Sequence, residues 1–314
     1  VFTTAPDIDT ATVHDFKGRP LAKELRFDKP APDEIGRVIA ADSTAKTGQS
    51  TTLHTRSFIT MVLWLLPVVA LAFALSHTSS GVRLLGLGMA AVFVGMALSK
   101  WHRHRYAYVG EEGVARYDLP GLPGLPPFTL DKRANSVFRF DEAESFYTNI
   151  TRNYYNGIYA GTDSEFTWIN GDSKTVYTVK SYYWSSKDTP QEDSLVYLGR
   201  AAADVWNERV LNRVRASFAE TGEATFRYRV FNGGVTVLRD AIRIVRLNKE
   251  TLIERHELAA VEVVMGQIKF RRVGEKPGFF DEGPGVGFSE VANAQVLLQL
   301  IQENFFGEGR YPRF

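Results

Sequence analysis

Cysteine is missing altogether from the 314 residues. Its absence rules out disulfides, thiol catalysis, iron–sulfur clusters and cysteine zinc sites. Net charge is nearly missing as well, since 37 Lys and Arg face 36 Asp and Glu and leave only +1. A general nucleic-acid binder concentrates positive charge to displace counterions from phosphates, so no nucleic-acid partner is expected. Catalytic signatures are also lacking. His256-Glu257 is followed by Ala260 where a zinc-protease helix needs its second histidine. Gly283-Pro284-Gly285-Val286-Gly287 lacks the Lys-Ser/Thr ending of a phosphate loop, and its proline removes a backbone donor. The pairs Asp141-Glu142 and Asp281-Glu282 are adjacent, and adjacent residues on an extended chain face opposite ways, so neither makes an acid/base couple. His102 and His104 have no carboxylate or cysteine close by and read as interfacial side chains rather than metal ligands. The expectation is therefore a protein that is not an enzyme and takes no cofactor or metal.

What the chain does have is a long apolar stretch. Residues 58–75, FITMVLWLLPVVALAFAL, and 82–99, VRLLGLGMAAVFVGMALS, are separated by SHTSSG. As a helix each run would rise about 27 Å, close to the ~30 Å hydrocarbon core of a bilayer, which predicts a two-helix transmembrane hairpin. Arg83, the one charge, sits at the start of the second run, where its side chain would snorkel to the headgroups. Lys100, Trp101, Arg103 and Arg105 follow that run and read as membrane-interface residues in contact with lipid. The same cations set the predicted topology: two passes through an inner (plasma) membrane with both termini cytoplasmic. Small residues at four-residue spacing, Gly86 with Ala90 and Ala91 with Gly95, suit close helix packing, either within the hairpin or between copies.

Around this hairpin the sequence divides at 55, 100 and 221. Residues 1–55 are proline-dotted and read as an irregular cytoplasmic arm, with a short amphipathic helix in DEIGRVIAA and no secretory signal. Residues 101–221 alternate as strands do: YAYV and VARY flank Glu111-Glu112-Gly113, and Asn170-Gly171 joins two later strands. A long helix then opens on the capping box Thr189-Pro190-Gln191-Glu192 and stops at Gly222. Residues 222–314 repeat the plan with meander strands and a final helix, ANAQVLLQLIQENFF, for which Asn293 is the expected N-cap. Lys269, Arg271 and Arg272 form the densest cationic tract there, a candidate surface for an acidic partner.

The tracts YAYVGEEGVARYD, FRFDEAESFY, TRNYYNGIY and FSEVANAQVLLQLIQ resemble those of uncharacterised bacterial membrane-anchored proteins that carry pleckstrin-homology-like (PH-like) domains. The resemblance covers residues 100–307. It implies a membrane-anchored α+β fold, in which the transmembrane hairpin precedes tandem PH-like domains, each a bent antiparallel sheet capped by a C-terminal helix. The function it implies is a non-enzymatic adaptor or scaffold that assembles a protein partner or a homo-oligomer at the cytoplasmic face. The alternative is a membrane-proximal sensor of anionic lipid or a small ligand.

Overall fold

The computed structural model describes residues 12–27, 29–44, 103–120, 135–184, 189–274 and 284–307. The chain divides into two compact units, Val1–Val137 and Phe138–Phe314.

In the first unit the amino-terminal arm is part of a sheet. β1 (Val38–Ser43) pairs antiparallel with β2 (Arg103–Gly110), placing Ala41 opposite Tyr108, and β2 pairs with β3 (Gly113–Pro120), placing Tyr106 opposite Tyr117. The helix expected in DEIGRVIAA shrinks to one 3-10 turn, Asp33–Ile35. Gly36 then takes φ 71, a left-handed conformation that breaks the helix, and β-branched Val38 and Ile39 follow as strand. Val13, Leu21, Phe27 and Ile35 pack against Tyr106, Tyr108 and Tyr117 to make this unit's core. Gly110 permits the fit, because a Cβ there would lie 2.2 Å from the Ile35 carbonyl oxygen.

The division between units falls within β4 (Asn135–Arg139). The second unit opens with a three-stranded antiparallel sheet of β5 (Ser145–Tyr155), β6 (Ile158–Ile169) and β7 (Thr175–Tyr183), with β6 in the middle. The chain then enters α1 (Leu195–Thr221). The helix begins after the predicted capping box: Ser194, not Thr189, is the N-cap, and its hydroxyl accepts the Val196 N–H at 3.4 Å. Its end is as expected, with Gly222 at φ 76 returning its N–H to the Phe218 carbonyl at 2.8 Å. α1 packs on the sheet through Gly199, which touches the ring of Phe166, and through Trp206, whose ring lies edge-on to Phe140 at 5.7 Å. Phe138, Phe146, Phe166 and Trp168 are buried beneath it, with Phe146 and Trp168 4.7 Å apart.

A four-stranded meander follows: β8 (Glu223–Arg227), β9 (Gly233–Leu238), β10 (Ala241–Arg246) and β11 (Lys249–Glu254). After it come β12 (Leu258–Val264), β13 (Gln267–Arg272) and β14 (Gly285–Gly287), with β13 central. α2 (Ala294–Ile301) closes the unit and runs on as a π-helical stretch, Gln302–Phe306.

The expected membrane-anchored architecture is corrected by this arrangement. The described residues form mostly antiparallel sheet, and no helix among them is long and apolar enough to cross a membrane. α1 is long, but Arg200, Asp204, Glu208, Arg209, Arg213 and Arg215 interrupt it with charge. α2 has 8 residues, about 12 Å of rise, under half the ~30 Å a bilayer core requires. The transmembrane hairpin ahead of tandem PH-like domains, and the two-pass inner-membrane location with cytoplasmic termini, are therefore withdrawn. Residues 58–75 and 82–99, on which that reading rested, lie outside the described residues.

Candidate partner-binding surface

Arg83, Lys100 and Trp101 lie outside the described residues, and Arg103 opens β2. Arg105 donates from Nε to Asp118 at 3.1 Å, and Arg116 pairs with the same carboxylate at 2.5 Å. Lys269, Arg271 and Arg272 sit on β13, the middle strand of its sheet. Arg271 reaches Glu262 at 2.9 Å, Lys269 stands opposite Glu262, and Arg272 donates to the Leu252 carbonyl at 3.3 Å. Their charge is spent largely within their own unit. His256 pairs with Glu254 at 3.2 Å beside an open depression that Asp240 and Arg255 also line. No cluster of three metal-ligating side chains occurs among the described residues.

A different surface emerges at the far end of the β5–β6 hairpin. The turn is Asn156-Gly157, with φ of 50 and 77 at its two central residues, the left-handed pair that a type I′ hairpin turn needs. Just after it Ala160 of β6 bulges out of the pairing and shifts the register between Asn153 and Tyr154, so that Tyr154 faces Tyr159 and Tyr155 faces Ile158. The rings of Tyr154 and Tyr159 meet edge to face at 5.9 Å, and the Tyr159 hydroxyl shares a 2.7 Å hydrogen bond with Thr162. On the neighbouring strand Tyr182 lies across Gly161, donating its hydroxyl to the Ala160 carbonyl at 2.5 Å. Only glycine fits there. Its φ is 139, and a Cβ would stand 2.4 Å from the Tyr182 hydroxyl oxygen.

These contacts hold Tyr154 and Tyr182 in place without burying them. Tyr155 is 75% exposed and Ile158 73%, while Tyr154, Tyr182 and Trp184 are each more than half exposed. Single exposed apolar residues are ordinary on a protein surface, but five at the ends of three adjacent strands are not. The charged neighbours are partnered: Asp163 accepts from the Asn153 amide at 2.6 Å, and Lys180, two residues before Tyr182, reaches Glu165 at 3.1 Å. Tyrosine and tryptophan with asparagine, glycine and threonine supply large amphipathic contact area at small conformational-entropy cost. The Asn156-Gly157 dipeptide is the sequence signal for this hairpin, alongside the Asn170-Gly171 turn expected from the sequence. That second loop turns through Ser173 at φ 62, with the Asn170 side chain accepting the Lys174 N–H at 2.9 Å. No family model and no curated protein matches this chain.

Proposed function

We propose that the chain is a non-catalytic protein-interaction module whose docking surface is the aromatic end of the β5–β6 hairpin and β7. The observation that carries this reading is the exposure of Tyr155, Ile158, Tyr182 and Trp184 at one end of the sheet, with Tyr154 exposed on the opposite face. Hot spots of protein interfaces draw on the same chemistry, rigid aromatic anchors ringed by polar groups that exclude water. The partner it fits is a folded protein offering apolar pockets and few charges. The lipid-sensing alternative relied on Arg103 and Arg105, and Arg105 is committed to Asp118.

A photo-crosslinking side chain placed at Tyr155 in the full chain, in its native cell, tests the proposal against the same side chain at Lys249. A discrete heteromeric adduct from position 155, absent from 249 and lost on Tyr182→Ala, is the expected result. Equal, diffuse labelling at both positions overturns it.

A further inference from the structure

We propose that residues 308–314 of the chain dock into the depression at the end of the β10–β11 pair, with Arg310 and Arg313 on the carboxylates of Asp240 and Glu254. The depression measures about 550 Å³ and is lined by Asp240, Ala241, Leu252, Glu254, Arg255 and His256. Strand pairing builds it. Ala241 stands opposite Glu254, and the Arg255 N–H donates to the Asp240 carbonyl at 2.7 Å, which carries the ladder one rung past the strands. Leu252 and Glu254 lie two residues apart on β11 and so share its outer face, opposite buried Ile253. Leu252 is thereby left 46% exposed, an apolar floor beside a carboxylate.

Charge selects the occupant. The cations beside the depression are engaged elsewhere: the Arg255 guanidinium lies 5.8 Å from the centre of the Phe305 ring, and Arg272 donates to the Leu252 carbonyl at 3.3 Å. Glu254 has exposed His256 as its ion-pair partner at 3.2 Å, and Asp240 makes no ion pair among the described residues. Glu257, whose carboxylate accepts the Glu254 N–H at 3.2 Å, adds a third negative charge. Two stretches outside the described residues adjoin this end of the unit. Residues 275–283, EKPGFFDEG, leave β13 beside Glu257, where the Val273 N–H reaches the Glu257 carbonyl at 2.7 Å, but three acids against one lysine give them the wrong sign. Residues 308–314, EGRYPRF, bring two arginines against one glutamate, with Tyr311 and Phe314 to cover the Leu252 floor. They follow Gly307, whose φ of 73 turns the backbone off the axis of α2, and Phe305 already lies against Arg255 at the rim. Seven residues extend up to roughly 24 Å, ample for a path that begins there. Exposed ion pairs are weak between separate molecules, but so short a tether supplies an effective concentration of about a millimolar, and the docking is therefore intramolecular.

The absence of cysteine lets one introduced thiol report on the site. Leu252→Cys in the full chain is labelled with a thiol reagent, and its rate is compared with that of the same variant lacking residues 308–314. Taking the ratio within each background cancels the effect of neighbouring charges on the thiol itself. The full chain is expected to react roughly threefold or more slowly than the shortened one. Arg310→Glu with Arg313→Glu is expected to abolish that protection, and adding Asp240→Lys with Glu254→Lys to the reversed tail to restore it. Equal rates with and without residues 308–314, or a fourfold charge swap that stays unprotected, overturn the proposal. Protection that fades on dilution assigns the depression to the tail of a second copy and overturns it as well.

Discussion

Asn293 shows how one side chain is asked to do two things. Its backbone sits at φ 52, and its Oδ1 accepts the buried Trp206 indole N–H at 2.8 Å, so it does not cap α2 with its side chain. Asparagine tolerates the left-handed region better than any residue but glycine, where other side chains pay roughly 1–2 kcal/mol. Asn293→Ala loses both the conformational fit and the acceptor, whereas Asn293→Gly loses the acceptor alone. A buried donor left unpaired costs about 1–3 kcal/mol. Both variants should therefore be destabilised in urea, alanine by about 1 kcal/mol more than glycine. Equal midpoints for the two would mean the backbone conformation is not under strain. Tyr228 is the opposite case, a buried phenol whose hydroxyl has no hydrogen-bond partner among the described residues. Burial, with Glu290 nearby and Arg246 opposing, pushes its pKa from 10.0 up to about 12. The unfolded chain then ionises first, so stability is complete below pH 10.0 and falls by roughly 1.4 kcal/mol per pH unit until about pH 12. Tyr228→Phe should be more stable than wild type at pH 7, by up to about 1–3 kcal/mol because the unpaired hydroxyl is gone, and should decline less steeply above pH 10.0. Parallel unfolding curves at high pH for the two proteins would refute that assignment.

At the scale of elements, α1 carries a glycine where helix propensity disfavours one. Alanine at 199 should gain about 1 kcal/mol by propensity alone. The packing argues the other way, because a Cβ on Gly199 would come 2.2 Å from Cδ2 of buried Phe166. Overpacking of this kind costs typically 1–3 kcal/mol, so Gly199→Ala should lower the thermal midpoint, and adding Phe166→Leu should recover part of the loss. A rise in the midpoint of the single variant would show that the sheet yields to the helix. The same competition between local preference and tertiary contact decides what was legible in the sequence. Alternation exposed most strands, and Gly222 marked the end of α1 because a left-handed cap needs only local chemistry. The cap at Ser194 was hidden by a better local match at Thr189, and β1 was hidden because its partner lies beyond residue 100. The aromatic surface was half legible: the residues stood in TRNYYNGIY, but the bulge and the ring over Gly161 that keep them outward are properties of three strands together.

For the second unit as a whole, what unites the first sheet with the C-terminal helix is a set of contacts across α1. Asn207 donates to Gln295 and Arg215 to Glu303, both pairs 88 apart in sequence, so α1 and the α2 segment run side by side in the same direction. Periodicity within either helix contains nothing about this alignment, since it is fixed only when Trp206 finds Asn293. The Arg215–Glu303 pair is the outermost rung, and it also offers a pH readout of the docking. The hydrogen bond from Arg215 holds the Glu303 carboxyl below its ordinary 4.5, against a smaller opposing effect of burial. Glu303 is thus the group whose pKa falls on folding, so its contribution is full above pH 4.5 and disappears as the pH drops through the lowered value. Both side chains are about a third or more exposed, 44% and 32%, so solvent screening limits the pair to roughly 0.5–1 kcal/mol. Arg215→Ala should therefore shift the urea midpoint downward at pH 7 and by progressively less as the pH falls below 4.5. If the gap between variant and wild type stays constant across that range, the guanidinium stabilises the unit through its packing against α2 rather than through the charge on Glu303.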